Sequence, residues 1–299
     1  MKASAKKKIA RSRGERIGHA IIYTILGLFA FSTVYPAWHV LMYSISDSGR
    51  ALTGGLFFLP RGVSLLSYRT VFQTHQIFVA YRNTILKTVV GTVLSLIITA
   101  LTAFPLSIRR LRGRNAISMY IFFTMLFSGG MIPTFLVVQN LGMIDTFWAL
   151  IIPGLMSAYN MFIMRNYFQQ LPPELEESAY IDGATPPVVL AAIILPVSTP
   201  CLAAVAMFYA VGNWNSYLDC LLYTNSGDLQ VLQIYLRNLI DSAGAMDAIA
   251  SVSGDSTNQL SAETVKMTTI AVSILPILML YPFLQKFYTK GVTTGAVKG

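Results

Sequence analysis

Six apolar runs, each close to the length of a membrane-crossing helix, leave this chain few ways to fold. They lie at about 17–45, 83–108, 116–138, 147–166, 197–223 and 265–284. About 20 residues of helix cross a hydrocarbon core about 30 Å thick. A chain in lipid must satisfy its backbone groups internally, so such runs read as helices. Composition agrees: 54% of residues are hydrophobic and 12% charged, where soluble domains carry roughly twice that charge. The mean hydropathy is +0.58. The expectation is an all-α polytopic membrane protein, with one transmembrane domain over 17–290 between a basic tail at 1–16 and a tail at 291–299.

The formal charge of +9 raises the question of nucleic acid, but the placement of the charges answers it. Seven Lys/Arg fall in 1–16, and Arg109, Arg110, Arg112, Arg114, Arg165, Lys286, Lys290 and Lys298 bring that side to fifteen of twenty-two. Six spans put both termini on one face, and the excess of Lys/Arg makes that face cytoplasmic. No nucleic-acid partner is expected. The first run is too long for a signal-peptide core and reads as a retained span. The outer stretch 46–82 is amphipathic enough to lie on the bilayer surface or pack on neighbouring helices, and 224–264 reads as a mobile loop. His39 beside Trp38 reads as an interfacial or packing residue. His75 has no partner at ligand spacing, and Cys201 and Cys220 read as small buried hydrophobes.

The chemistry of catalysis is missing. There is no GxxxxGK[ST] loop to cradle nucleotide phosphates, no CxxC or HExxH among two cysteines and three histidines, and no Ser/His/Asp set in motif context. No metal or other cofactor is implied. The spans carry no row of carboxylates of the kind that relays protons. Asp219 is the main intramembrane candidate. The sequence therefore speaks against an enzyme and against a self-powered transporter.

One polar stretch stands apart, LPPELEESAYIDGATPPVVLAAIILP at 171–196. Pro172 and Pro173 suit a helix start, and Glu174, Glu176 and Glu177 fall at the positive end of its dipole. Gly183 supplies a stop, Thr185 reads as the N-cap of a second short helix, and Pro196 marks a bend. Span parity puts this segment on the basic face, yet it holds four acids and no Lys or Arg. A projecting acidic helix is suited to docking on a basic partner.

Here the sequence resembles a known family. Glu177-Ser178-Ala179, then Asp182-Gly183-Ala184, then Leu195-Pro196, are similar to the EAA loop of ABC-importer permeases, with Ser178 where the middle alanine usually stands. SGGMIPTFLVVQNLGMIDTFWALIIP before the loop and FYTKGVTTGAVKG at the C-terminus resemble the carbohydrate-uptake branch, similar to the smaller maltose-permease subunit. The resemblance covers about 17–299 and is weakest around 240–262. It implies a type I importer permease fold in the bacterial inner membrane, with 172–182 a cytoplasmic coupling helix. It also implies two ATPase subunits that bring the ATP chemistry and a second permease subunit, expected as a heterodimer. An external solute-binding protein would deliver a carbohydrate, expected to be an oligosaccharide. Glu174, Glu176, Glu177, Ser178, Ala179, Asp182, Gly183 and Ala184 would form the ATPase-coupling site. The tail Gly295-Ala296-Val297-Lys298-Gly299 resembles one that inserts between the ATPases, and 224–264 occupies the place of a loop that probes the binding protein.

A second cluster carries a separate expectation. Asn213, Trp214, Asn215, Tyr217 and Asp219 combine amides and aromatic faces, which suit sugars, inside an apolar run. The competing reading is hydrogen bonding between helices. The rival function is an ion-coupled secondary transporter, which would move solute without an ATPase.

Overall fold

The computed structural model describes residues 13–253 and 261–296. Residues 1–12 of the tail expected at 1–16, the stretch 254–260 and the last three residues lie outside the described residues. In chain order the α-helices are α1 (Arg13–Ser44), α2 (Ser48–Ala51), α3 (Leu66–Gln73), α4 (His75–Ser107), α5 (Arg114–Leu126), α6 (Met131–Asn140) and α7 (Ala158–Phe168). They continue with α8 (Glu174–Ile181), α9 (Pro186–Val189), α10 (Leu195–Val197), α11 (Thr199–Asn215), α12 (Leu218–Tyr223), α13 (Leu232–Ser253) and α14 (Ala262–Ala296). Among the described residues the only strand-like feature is one isolated bridge, Ser46 with Val63.

Three helical segments are long and apolar enough to cross a membrane alone: 17–44 in α1, all of α4, and 262–279 in α14. Three more spans are bent pairs. α5 and α6 meet at 112°, the turns Phe147–Gly154 meet α7 at 54°, and the stretch Pro186–Val197 meets α11 at 87°. Among the described residues, counting each bent pair as one span gives six, in an all-α architecture.

The bends have local causes. The run expected as the third span, 116–138, breaks at Ser128-Gly129-Gly130, where Gly130 takes φ 92°, a region that a side chain resists. The break before α11 falls at Ser198, between Pro196 and Pro200, neither of which has an N–H to continue a helix. Leu190–Ile194, between α9 and α10, widens into a π-turn. The second span starts at His75, not Asn83, and its 33 residues reach about 50 Å at 1.5 Å per residue. The fifth run ends as a helix at Asn215 and restarts as α12, so Cys201 and Cys220 do not share one continuous helix. Both are buried and free.

The chain divides into two compact units, 1–70 with 249–271, and 71–248 with 272–299. In the first, Tyr43, Ala51 and Phe57 form a small core with Met42 and Met267 against it. His39 packs edge-on to Phe57 at 5.3 Å and meets the Tyr35 hydroxyl at 3.3 Å. Its place is in aromatic packing. Along α1, Thr24 and Ser32 donate to carbonyls one turn back, which lets hydroxyls sit in an apolar helix.

In the second unit the core is α4, α7 and α11, with Ala103, Phe104, Met161, Met164, Val205 and Tyr209 at its centre. Gly91 lets α4 approach α11 closely: a Cβ there would meet Asn213 Nδ2 at 2.9 Å. Small residues at such crossings allow packing in lipid, where no hydrophobic force holds helices together. Thr99 and Tyr209 share a hydroxyl hydrogen bond of 2.7 Å, and Tyr209 Oη also accepts from Ser157 N–H. One polar knot therefore ties the three helices.

Candidate functional site

The acidic stretch folds as a short helix closed by a tight cap. Pro173 sits at the N-cap of α8, and Glu174, Glu176 and Glu177 occupy its first turn, where the helix dipole favours negative charge. At the other end, Ala184 N–H donates to the Ala179 carbonyl at 2.9 Å and Gly183 N–H to the Tyr180 carbonyl at 3.1 Å. This double bond pattern is a Schellman cap, and it needs a left-handed residue at the position of Gly183. Gly183 has φ 79°. Thr185 stands at the N-cap of α9, as its position in sequence suggests, but its side chain makes no capping bond.

The helix has an inner and an outer face. Ala179 is buried and Ala184 packs against the same core that α4, α7 and α11 share. The small residues of the motif therefore seat the helix on the spans. Glu174, Glu177, Ser178, Asp182 and Gly183 are exposed. So is Ile181, at 86%, an apolar side chain on the outer face that the sequence reading did not single out. Its signal was an isoleucine among acids, with the polar Ser178 and Glu177 at i−3 and i−4 on its own helix.

Glu176 differs from its neighbours. It is half-buried beside a cavity of about 360 Å³ lined by Arg109, Arg110, Gln169, Pro173 and Glu177 among others. Burial raises its carboxyl above the usual range, and the Arg110 guanidinium partly offsets this. Arg110 also lies 5.7 Å from the centre of the Tyr180 ring. The basic loop between α4 and α5 and the acidic helix thus lie side by side.

The second cluster is not one surface. Trp214 is 5% exposed, and Asn213 faces Gly91 at the α4–α11 crossing. Both therefore sit where packing side chains sit. Asn215 is exposed, and Tyr217, 40% exposed, precedes α12. Arg237 of α13 lies over the Tyr217 ring, 5.4 Å from its centre.

Asp219 has a partner that the sequence reading missed. Lys87 Nζ, on α4, lies 3.1 Å from Asp219 Oδ2; the lysine side chain is 1% exposed and the carboxylate 38%. Ser216 Oγ donates to the same oxygen at 2.6 Å. The signal was present: Lys87 is the sole charged residue between Arg82 and Arg109, and an ammonium in such a run needs a counter-ion. Just beyond it, Asn83 Nδ2 donates to the carbonyls of Asp228 and Gln230, and Thr84 accepts from Leu232 N–H. This end of α4 thereby fastens the segment that follows α12.

Comparison with known proteins decides the family. The sequence model of the family described as "Binding-protein-dependent transport system inner membrane component" matches residues 77–294. The chain belongs to this family. It is 39% identical to the polygalacturonan/rhamnogalacturonan transport system permease protein YtcP of Bacillus subtilis (strain 168), over 95% of this chain and 99% of the relative. It is 41% identical to protein LplC of the same organism, over 92% of each. A solved structure with TM-score 0.85 and 33% identity, covering 94% of this chain and 100% of that one, is of a bacterial ABC transporter involved in the import of the acidic polysaccharide alginate. As a member of the family, this chain is the permease subunit of an ABC importer and an inner-membrane component. It is a transport subunit rather than an enzyme, and the importer depends on a separate ATPase and a solute-binding protein. No comparison favours the ion-coupled alternative.

Proposed function

We propose that this chain forms, with a second and different permease subunit, the pathway for an acidic oligosaccharide, and that α8 is the element through which two ATPases drive it. The observation that carries the coupling role is the two-sided build of α8. Ala179 and Ala184 seat it on the spans, while Glu174, Glu177, Asp182 and Ile181 face outward with no partner among the described residues. A rigid helix clamped at its base transmits a push from whatever holds its outer face. The lever works because ATP favours one arrangement of the ATPase pair over the other, and a ligand shifts an equilibrium only by its differential affinity.

Topology supports the same reading. Both termini, the α4–α5 loop and α8 would lie in the cytoplasm, on the side carrying most Lys/Arg. The span boundaries follow the helices and bent pairs described above, with 1–16 and 291–299 as cytoplasmic tails. The substrate class rests on the similar proteins: one belongs to a polygalacturonan/rhamnogalacturonan transport system, and the solved transporter is involved in the import of the acidic polysaccharide alginate. Asn215, Tyr217 and Asp219, where α11 ends and α12 begins, are the residues of the second cluster with side chains open to a pathway. Asn213 and Trp214 support them from behind.

The test is uptake by the assembled transporter in vesicles. With ATP inside and binding protein outside, we expect uptake of a galacturonate oligomer, unaffected by ionophores that dissipate ion gradients. A neutral glucose oligomer of equal length should be taken up at least about tenfold more slowly, equivalent to about 1.4 kcal/mol of discrimination. Equal uptake of the two would remove the acidic-substrate reading, and uptake abolished by ionophores would remove the ATP-driven one.

A further inference from the structure

Arg114 and Arg165 form a cationic site that no part of the coupling or transport role uses. Arg114 is the first residue of α5 and Arg165 stands in the last turn of α7, so both lie where two spans reach the same membrane surface. The two guanidiniums converge on one neutral group. With the Gln169 amide turned so that its oxygen faces these donors, it accepts from Arg114 Nη2 at 2.8 Å and from Arg165 Nε at 3.1 Å. Arg165 Nη1 reaches Ser118 Oγ at 3.3 Å, and its guanidinium lies over the Phe162 ring. Arg114 Nε is buried and has no acceptor. Among the described residues, neither arginine has a carboxylate within ion-pair distance.

Two like charges sharing one uncharged oxygen, with no carboxylate to balance them, is an arrangement completed by an anion. A phosphate has the oxygens to take an outward Nη–H of each guanidinium, with the charge-assisted geometry that arginine matches best. Gly113, at the N-cap of α5, brings no side-chain acceptor to this end of the helix.

The surface beyond the arginines says which anion. α5 has no buried residue, and Ile117 and Met125, each 46% exposed, form an apolar strip on the side of the helix that carries Arg114, one and three turns on. A charged head between the arginines, with apolar chains along that strip, describes an anionic phospholipid. Basic pockets between spans at a membrane face are known to take such heads. We propose that Arg114 and Arg165 hold the phosphate of an anionic phospholipid, with its acyl chains along α5.

The assembled transporter would be reconstituted in mixed phosphatidylglycerol and phosphatidylcholine vesicles and re-extracted in mild detergent. Retained lipids would then be counted by native mass spectrometry. Wild type is expected to retain phosphatidylglycerol over phosphatidylcholine by roughly tenfold, the effect of one charge-assisted contact. Arg114→Gln with Arg165→Gln should abolish that preference, and Arg112→Gln should leave it. Equal preference in wild type and the double variant would overturn the proposal. So would displacement of phosphatidylglycerol by millimolar inorganic phosphate, which points to a free anion, or burial of the site under a partner subunit with no lipid retained. A second reading needs no variant: phosphatidylglycerol added to wild type in detergent should raise its melting temperature where phosphatidylcholine does not. The absence of that difference would also overturn the proposal.

Discussion

Replacing Gly183 with valine is expected to cut ATP-driven uptake by roughly tenfold or more, while the transporter still assembles. The cause lies in the backbone. Gly183 sits at φ 79° with no atom within 4 Å of where a Cβ would be, so the valine meets open space in this chain. It meets strain instead, about 1–2 kcal/mol for a left-handed residue and more for a branched one. The chain escapes that strain by opening the cap, which releases the Ala184-to-Ala179 bond and loosens α8 from its base. A loosened lever takes up the push without passing it on. ATP hydrolysis should then continue with little transport. Gly183→Asn separates strain from contact, because asparagine tolerates this conformation. It should keep most of the uptake. If valine transported like wild type, or asparagine failed as badly as valine, strain at the cap would not be what matters.

The second large effect is expected at Asp219. Removing its charge leaves the Lys87 ammonium buried without compensation, and breaking a buried pair from that side costs about 3–5 kcal/mol. The carboxylate is 38% exposed, so the loss should fall at the low end of that range. Removing Lys87 instead leaves a carboxylate that water reaches, a loss closer to the ~1 kcal/mol of an exposed pair. Asp219→Asn should therefore lower the melting temperature of the purified complex more than Lys87→Met does. The double variant should recover part of the loss, since neither charge is then stranded. An Asp219→Asn protein no less stable than Lys87→Met would show that the pair does not hold the α11–α12 break.

The two sites differed in how far the sequence disclosed them. The spans were legible because lipid imposes length and apolarity on every one of them. The acidic helix and its cap were legible because four acids interrupt an apolar chain and because the glycine and proline positions are local signals. The bends were only partly so. Ser128-Gly129-Gly130 held the break in the third span, but the apolar run around it hid the signal. The π-turn at Leu190–Ile194 left no mark, since its residues are ordinary helix formers. The Lys87–Asp219 pair joins residues 132 positions apart, a distance that no local pattern bridges. At Trp214 the sequence left two readings side by side, sugar contact and helix packing, and its 5% exposure sides with packing.

The outer face of α8 is expected to seat in an ATPase subunit. Ile181, exposed and apolar at the end of that helix, is the position from which to test it. A photo-activated cross-linker placed at 181 in the assembled transporter, in vesicles with the binding protein outside, should capture the ATPase subunit. The same probe at Leu218, 40% exposed on α12, should not. Capture of the binding protein or of lipid from position 181, with the ATPase untouched, would contradict both the coupling role and the orientation on which it depends.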